Sequence, residues 1–195
     1  MKKFFSSRGG AAAVALIVVL LGTYFGSYRS LHVAVRRISD GFSEGVYYTD
    51  RSGNTFQHKS IRSQLINRVE ACTNLVSVAR NFTEAADEAE ALRSAANGMK
   101  DSLYGNGTPA ELCRQNKELG RTFDALYSAL SPLELDSRDK DNMESAKLEM
   151  DSAADTIEIS GYNESVREFD RSTLSVFPTN LLRHICFVKE PELFE

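Results

Sequence analysis

Tryptophan is absent from these 195 residues, and proline, histidine and cysteine are scarce, at four, three and three. So little proline beside only 12 glycines excludes collagen-like and low-complexity architectures. The cysteines, Cys72, Cys113 and Cys186, are odd in number and contain no C-x-x-C pair, so neither a disulfide framework nor a zinc ribbon is encoded. Cys72 and Cys113 fall on apolar helical stripes, where a thiol acts as a small hydrophobe; a bridge between them stays open for a domain in an oxidising compartment. Outside the N-terminal region basic residues form no stripe, because the 23 Lys and Arg are dispersed among 27 Asp and Glu with a net charge of -4, which counts against a nucleic-acid partner.

The shortage of histidine narrows the chemistry further. A di-iron bundle needs Glu-x-x-His pairs, and His32, His58 and His184 have Arg29, Thr55 and Leu181 three residues before them. Neither a G-x-S-x-G elbow nor a P-loop occurs, and no histidine belongs to a recognisable Ser-His or Cys-His pattern. Glu84, Asp87, Glu88 and Glu90 form an acidic cluster, but their offsets mostly set them opposite the apolar seam as a solvated face. The reading is therefore non-enzymatic, with no cofactor and no metal.

What the chain does contain is one long apolar run. Gly9 to Tyr28 is a stretch of 20 residues without a charged side chain, built round AAAVALIVVLLG. At about 1.5 Å per residue it makes a helix of about 30 Å, the thickness of a bilayer's hydrocarbon core. Tyr24 and Tyr28 stand at its far end, where amphipathic rings prefer the headgroup level, and Lys2, Lys3 and Arg8 flank its near end. A single-pass transmembrane helix is expected; no A-x-A-like site closes the run, which weighs against a cleaved signal peptide. Three basic residues precede the span and Arg29, Arg36 and Arg37 follow it, so the positive-inside count is tied. The short N-terminal tail favours the cell membrane with the remaining domain on its extracytoplasmic side.

Beyond the span the periodicity is helical. Leu31, Val35, Ile38 and Phe42 make a short stripe that continues the membrane helix. Gly45 to Ser60 reads as a loop interrupting the bundle, with a turn at Ser52-Gly53-Asn54, its Val46-Tyr47-Tyr48 being too short for more than an extended patch. From Ser60 to Met99 apolar residues alternate steps of three and four over almost forty residues, a coiled-coil-like seam that predicts one long helix, with Gly98, Gly105 and Gly107 marking its end. Thr108-Pro109 with Glu111 opens a further helix, Ser131-Pro132 closes it, and Asp136 caps a last one. The stripe of that last helix, Met143, Ala146, Met150, Ala153, Ile157, Tyr162, Val166, Phe169 and Leu174, takes a five-residue step at Gly161 and ends near Pro178. Three long amphipathic helices and one short one predict an all-α chain: a transmembrane helix followed by an antiparallel four-helix bundle. The expected divisions are a basic tail 1–8, a span 9–28, a bundle domain 29–180 and a C-terminal tail 181–195.

The stretch YNESVREFDRSTLSVFPTNLLRHICF, with ELFE after it, resembles the signature of the LemA family of bacterial membrane-anchored helical proteins. Tyr162-Asn163, Phe169-Asp170, Phe177-Pro178, Leu181-Leu182 with Phe187, and Phe194-Glu195 carry the likeness. In IRSQLINRVEACTNLVSVARNF a second block is similar to the family's first bundle helix at Gln64, Leu65, Arg68, Asn74, Leu75, Val76 and Phe82. Thr73 stands where the family often has Pro, Asp170 replaces its second Asn, and Ile159 takes the place of its usual Arg, so the resemblance is to a divergent member. It implies a single N-terminal span and a helical bundle without established enzymatic activity.

Two groups of residues stand out as contact candidates. Asn163 beside Tyr162 suits a hydrogen bond across the bundle that fixes helix alignment at Gly161. Alternatively Tyr162, Asn163, Phe177 and Asn180 form a patch for a protein partner. Arg29, Arg36 and Arg37 could hold the first helix to anionic headgroups of the lipid bilayer, at about 1 kcal/mol each, or simply be solvated. The leading expectation is a membrane-anchored scaffold or adaptor that binds a protein partner at the membrane surface, of open oligomeric state. A sensory or ligand-binding bundle and an accessory subunit of a membrane enzyme are the alternatives.

Overall fold

The computed structural model describes residues 8–105 and 107–195; Lys2 and Lys3 of the basic tail lie outside the described residues. It is all-α apart from one small hairpin. Helix α1 (Arg8–Glu44) is followed by strands β1 (Tyr47–Thr49) and β2 (Thr55–Gln57), then by α2 (Ile61–Ala79), α3 (Ala86–Tyr104), α4 (Pro109–Leu130) and α5 (Ser137–Glu158). The short helices α6 (Tyr162–Phe169) and α7 (Thr179–Ile185) complete the order, with a π-helical turn at Asp170–Leu174 between them. The chain divides into two compact units, one of residues up to 38 with 167–191 and the other of 39–166 with 192–195.

The larger unit holds the four packed helices α2–α5. Short connections make successive helices antiparallel, α2 lies most extensively against α5 and α3 against α4, and α4 and α5 meet sparsely. Its interior is filled by Leu65, Leu75, Leu92, Met99, Leu103, Leu112, Leu119, Phe123, Leu126 and Leu130, each under 2% exposed. Every such side chain stabilises the fold by about 1.5–3 kcal/mol through apolar burial. Three helix starts are capped as their residue types dictate: the side chains of Ser60, Thr108 and Asp136 accept from the backbone N–H groups of Ser63, Glu111 and Asp139.

Several expectations need correction. The forty-residue helix from Ser60 to Met99 is two helices, because the chain turns at Arg80–Phe82, where Phe82 is extended (φ -122°, ψ 104°), and a 3₁₀ turn, Thr83–Ala85, leads into α3. This division supplies the fourth bundle helix; the short one expected from Leu31 to Phe42 is the distal part of α1. The burial pattern shifts across the turn: Ala79, Ala85 and Ala89 are buried, whereas Phe82 is half-buried and Ala86 exposed. No side-chain hydrogen bond caps α3, and the acidic residues of its first turn, Asp87 and Glu88, are the start signal at the break. Gly98, expected as a stop, lies inside α3, which ends at Tyr104.

The loop 45–60 contains the antiparallel hairpin, with Tyr48 paired to Phe56 and stacked on it at 5.4 Å. Gly45 (φ +92°) closes its base: a Cβ there would lie 2.1 Å from the His58 carbonyl oxygen, so only glycine fits. The last helix does not run through Gly161 with a register change. It stops at Glu158, Gly161 turns in the left-handed region (φ +71°), and α6 starts afresh at Tyr162.

The smaller unit contains the apolar part of α1, long and apolar enough to cross a membrane by length and composition, a property that membrane anchors and signal sequences share. Leu16 to Leu21 are 51–63% exposed and Phe25 65% exposed. Leu31, Leu174 and Cys186 are buried in this unit, and His32 Nε2 donates to the Cys186 carbonyl at 3.2 Å. The segment 181–195, expected as a tail, includes most of α7.

Candidate functional site

The four residues expected to form one partner patch fall into different units. Phe177 and Asn180 are exposed in the smaller unit, Phe177 by 78%. Tyr162 and Asn163 belong to the larger one and are engaged with the segment Glu192–Glu195. The Asn163 carboxamide donates through Nδ2 to the Phe194 carbonyl at 2.8 Å and accepts from the Phe194 N–H at 2.8 Å, so it reads both polar groups of one residue's backbone. The Tyr162 hydroxyl donates to the Glu192 carbonyl at 2.8 Å. Phe194, 7% exposed, sits 5.7 Å from the Phe42 ring, which meets the Tyr162 ring edge-on at 5.5 Å. Burial, then the nearby Glu192 charge, pushes the Tyr162 phenol up to about 12, so it is a neutral donor across the physiological range. Asn163 thus fastens a later segment of its own chain, and the register role across the helices is not what its hydrogen bonds serve.

A second feature runs along α2 and α5. Asn74, Ser77, Asn81, Asn142, Ser145 and Glu149 line an open depression of about 490 Å³, and Gln64, Asn67, Glu70, Glu149 and Ser152 line an adjoining one of about 380 Å³. Glu149 is common to both, so the two depressions adjoin along the α2–α5 border as a largely polar groove, with Asp136, Arg138 and Asp139 at one end and Lys59 and Leu148 at the other. It follows from the positions flanking the buried stripes of the two helices. Asn67 and Asn74 lie seven residues apart on α2, with Asn81 following in the turn after it, and Asn142, Ser145, Glu149 and Ser152 step by three, four and three along one edge of α5. That polar period is the signal the sequence carries for the groove; the apolar period marks the core and not its border.

Inside the bundle, Arg68 is 7% exposed and donates through Nη1 to the Met150 carbonyl at 3.3 Å, joining α2 to α5. Gly120 of α4 makes room for it, since a Cβ there would stand 3.2 Å from Nη2. Its Nε is buried without a hydrogen-bond partner among the described residues. Burial depresses its pKa, and Cys72, Asp151 and Asp124 oppose that shift. Cys72, one turn along, has its thiol pushed up to about 12 by burial, which leaves it protonated and poorly nucleophilic at neutral pH. All three cysteines are free and buried.

Arg29 and Arg37 are exposed on α1, as is Arg36, which has a partner of its own. Among the described residues no three His, Cys, Asp or Glu are placed to hold a metal ion. No family model, curated protein or solved structure matches the chain.

Proposed function

We propose that this chain is a non-enzymatic, single-pass membrane-anchored scaffold whose helical bundle binds a protein segment at the membrane surface. The observation that carries the reading is the polar groove between α2 and α5, beside an interior already filled with side chains. Asn and Ser side chains both donate and accept, so a groove edged by Asn67, Asn74, Asn142 and Ser145 suits the N–H and C=O groups of an extended peptide. The apolar helix Gly9–Tyr28 supplies the anchor, with the bundle on the extracytoplasmic side of the cell membrane. Kinship with the LemA family belongs to the same proposal and rests on the motif residues alone.

The test places a photo-reactive group at Asn142 of the full-length protein in its native membranes. One dominant crosslinked protein is expected, lost when Asn74→Ala and Ser145→Ala are added although the bundle's melting temperature is unchanged. Self-crosslinks or lipid adducts alone would sink the scaffold reading and favour a bundle that senses a small ligand. One observation points to that second reading: the buried Arg68 guanidinium, whose Nε has no protein acceptor among the described residues, is the kind of group an anion between the helices would satisfy.

A further inference from the structure

Of the large apolar side chains on the outside of the larger unit, Tyr104, Leu148 and Ile159 stand singly, an ordinary exposure, while on the hairpin Tyr48 and Phe56 stack on each other beside Tyr47. In the smaller unit such side chains cluster within a dozen residues. Val176 is 48% exposed, Phe177 78%, Leu181 55%, Ile185 47% and Phe187 84%. Leu181 and Ile185 are four apart on α7 and share one face, with Phe177 four residues before Leu181. Phe187 adopts a left-handed backbone conformation (φ +51°), uncommon for a bulky residue, while its ring is left almost wholly in the open.

The position of this cluster along α1 is fixed within the same unit. Cys186, fully buried, offers its carbonyl to His32, and His32 lies one helical turn beyond Tyr28, about 6 Å along the axis. Tyr28 closes the uncharged run and its ring lies 4.3 Å from that of His32. A bilayer that takes up Gly9–Tyr28 therefore has its headgroup region at the level where Cys186 is tied to α1, and Phe187 follows Cys186 directly. Aromatic and aliphatic side chains gain most from burial at that boundary, and apolar insertion of about 5–10 Å is typical of helices lying in the interface.

We infer that Phe177, Leu181, Ile185 and Phe187 form a second membrane contact, inserted among the lipid headgroups and upper acyl chains beside the point where α1 leaves the bilayer. This rests on the membrane-anchor reading of α1. It makes the smaller unit a two-point attachment, with the span crossing the bilayer and the α7 region lying on it.

The absence of tryptophan makes the test direct, because each introduced indole is the only one present. Full-length F187W and F177W would be reconstituted in phosphatidylcholine–phosphatidylglycerol bilayers containing lipids brominated high on the acyl chain. L20W would report the span and Y104W the exposed bundle surface. Both patch variants should emit to the blue of Y104W and be quenched at least about twofold more strongly. Patch indoles that behave like Y104W while L20W is quenched by deeply brominated lipid would overturn the contact and leave the anchor standing. A blue shift without lipid quenching means that protein covers the patch, which also overturns it. An L20W indole that no lipid quenches removes the anchor reading and this inference with it.

Discussion

Helix α1 and helix α2 are both rich in aliphatic residues, yet they treat them in opposite ways. Along Gly9–Tyr28 the apolar side chains surround the helix, and Leu16, Val18 and Leu20 are each about 60% exposed. Along α2 they occupy one stripe, and Leu65, Cys72 and Leu75 are completely buried. A helix apolar on every side suits an apolar solvent, whereas a striped one needs neighbouring helices. A charge should therefore harm the two regions by different routes. Leu126→Asp buries a carboxylate in a site with no partner, and the bundle should lose on the order of 3 kcal/mol or more in chemical denaturation. Phe169→Asp, at a half-buried position, should cost less. Leu20→Asp should leave the bundle's melting in detergent unchanged and instead lower the membrane-integrated fraction, since an acidic residue at mid-span costs about 3 kcal/mol of insertion. Equal loss of bundle stability in the Leu126 and Leu20 variants would break the comparison.

The same contrast explains what could be read from the residues. Continuous hydrophobicity marked α1, and the stripe Leu112, Leu119, Phe123, Leu126, Leu130 marked α4, because each reflects a single helix meeting a single environment. Capping at Thr108 and Asp136 is a local match between one side chain and one N–H, so it was legible too. The division of Ser60–Met99 was not, because apolar residues keep their three-four spacing through Phe82 and Ala86 although the chain reverses at Arg80–Phe82, where Ala85 and not Ala86 is buried. The Tyr162–Asn163 pair stood out as polar residues in an apolar seam, but their partner lies about thirty residues later and makes its contacts through the backbone, which leaves no mark in residue types. The groove escaped for a related reason: polar residues at a helical edge look like solvated surface until a neighbouring helix supplies the other wall.

The fastening of Glu192–Glu195 should be intermediate in strength. Asn163→Ala removes two hydrogen bonds to the Phe194 backbone and should release the segment at a cost of about 1–2 kcal/mol, with amide exchange at Phe194 accelerated about tenfold and the bundle's core amides unaffected. Alkali should do the same by another route. The Tyr162 phenol titrates near its ordinary value of 10.0 once released and at about 12 when engaged, so the engaged state holds its proton more firmly. Its contribution is complete below pH 10 and is lost as pH climbs towards 12. The Cys72 thiol, raised from 9.0 to about 12, weakens the bundle in the same direction from a lower starting pH. Tyr162→Phe should abolish the pH dependence of Phe194 exchange between pH 10 and 12 beyond the intrinsic rate, and leave that of the α2 core. If both vary as in the parent chain, the phenol is not the responsible group.

The smallest change is expected where the buried charge lies. Arg68 has lost most of its hydration, and its hydrogen bond to Met150 is to a neutral carbonyl. Asp124 and Asp151 face its end of the bundle, but both pair with Lys147, at 3.5 and 2.8 Å, so their fields are divided. A buried charge without a close counter-ion rarely repays its desolvation, and an apolar side chain of similar length usually does as well or better. Arg68→Met should accordingly leave the denaturation free energy unchanged or raise it by up to about 2 kcal/mol, at constant denaturant dependence. Gly120→Ala, which crowds Nη2 from the opposite helix, should be tolerated better when combined with Arg68→Met than in the parent chain, because a thioether chain can bend away where a planar fork cannot. A loss of more than about 1 kcal/mol in Arg68→Met would mean that the Met150 bond and the two carboxylates outweigh desolvation and that the guanidinium is a structural tie. A gain would mean that stability does not account for a charge at this position, which turns attention to what the unpartnered Nε of this guanidinium can bind.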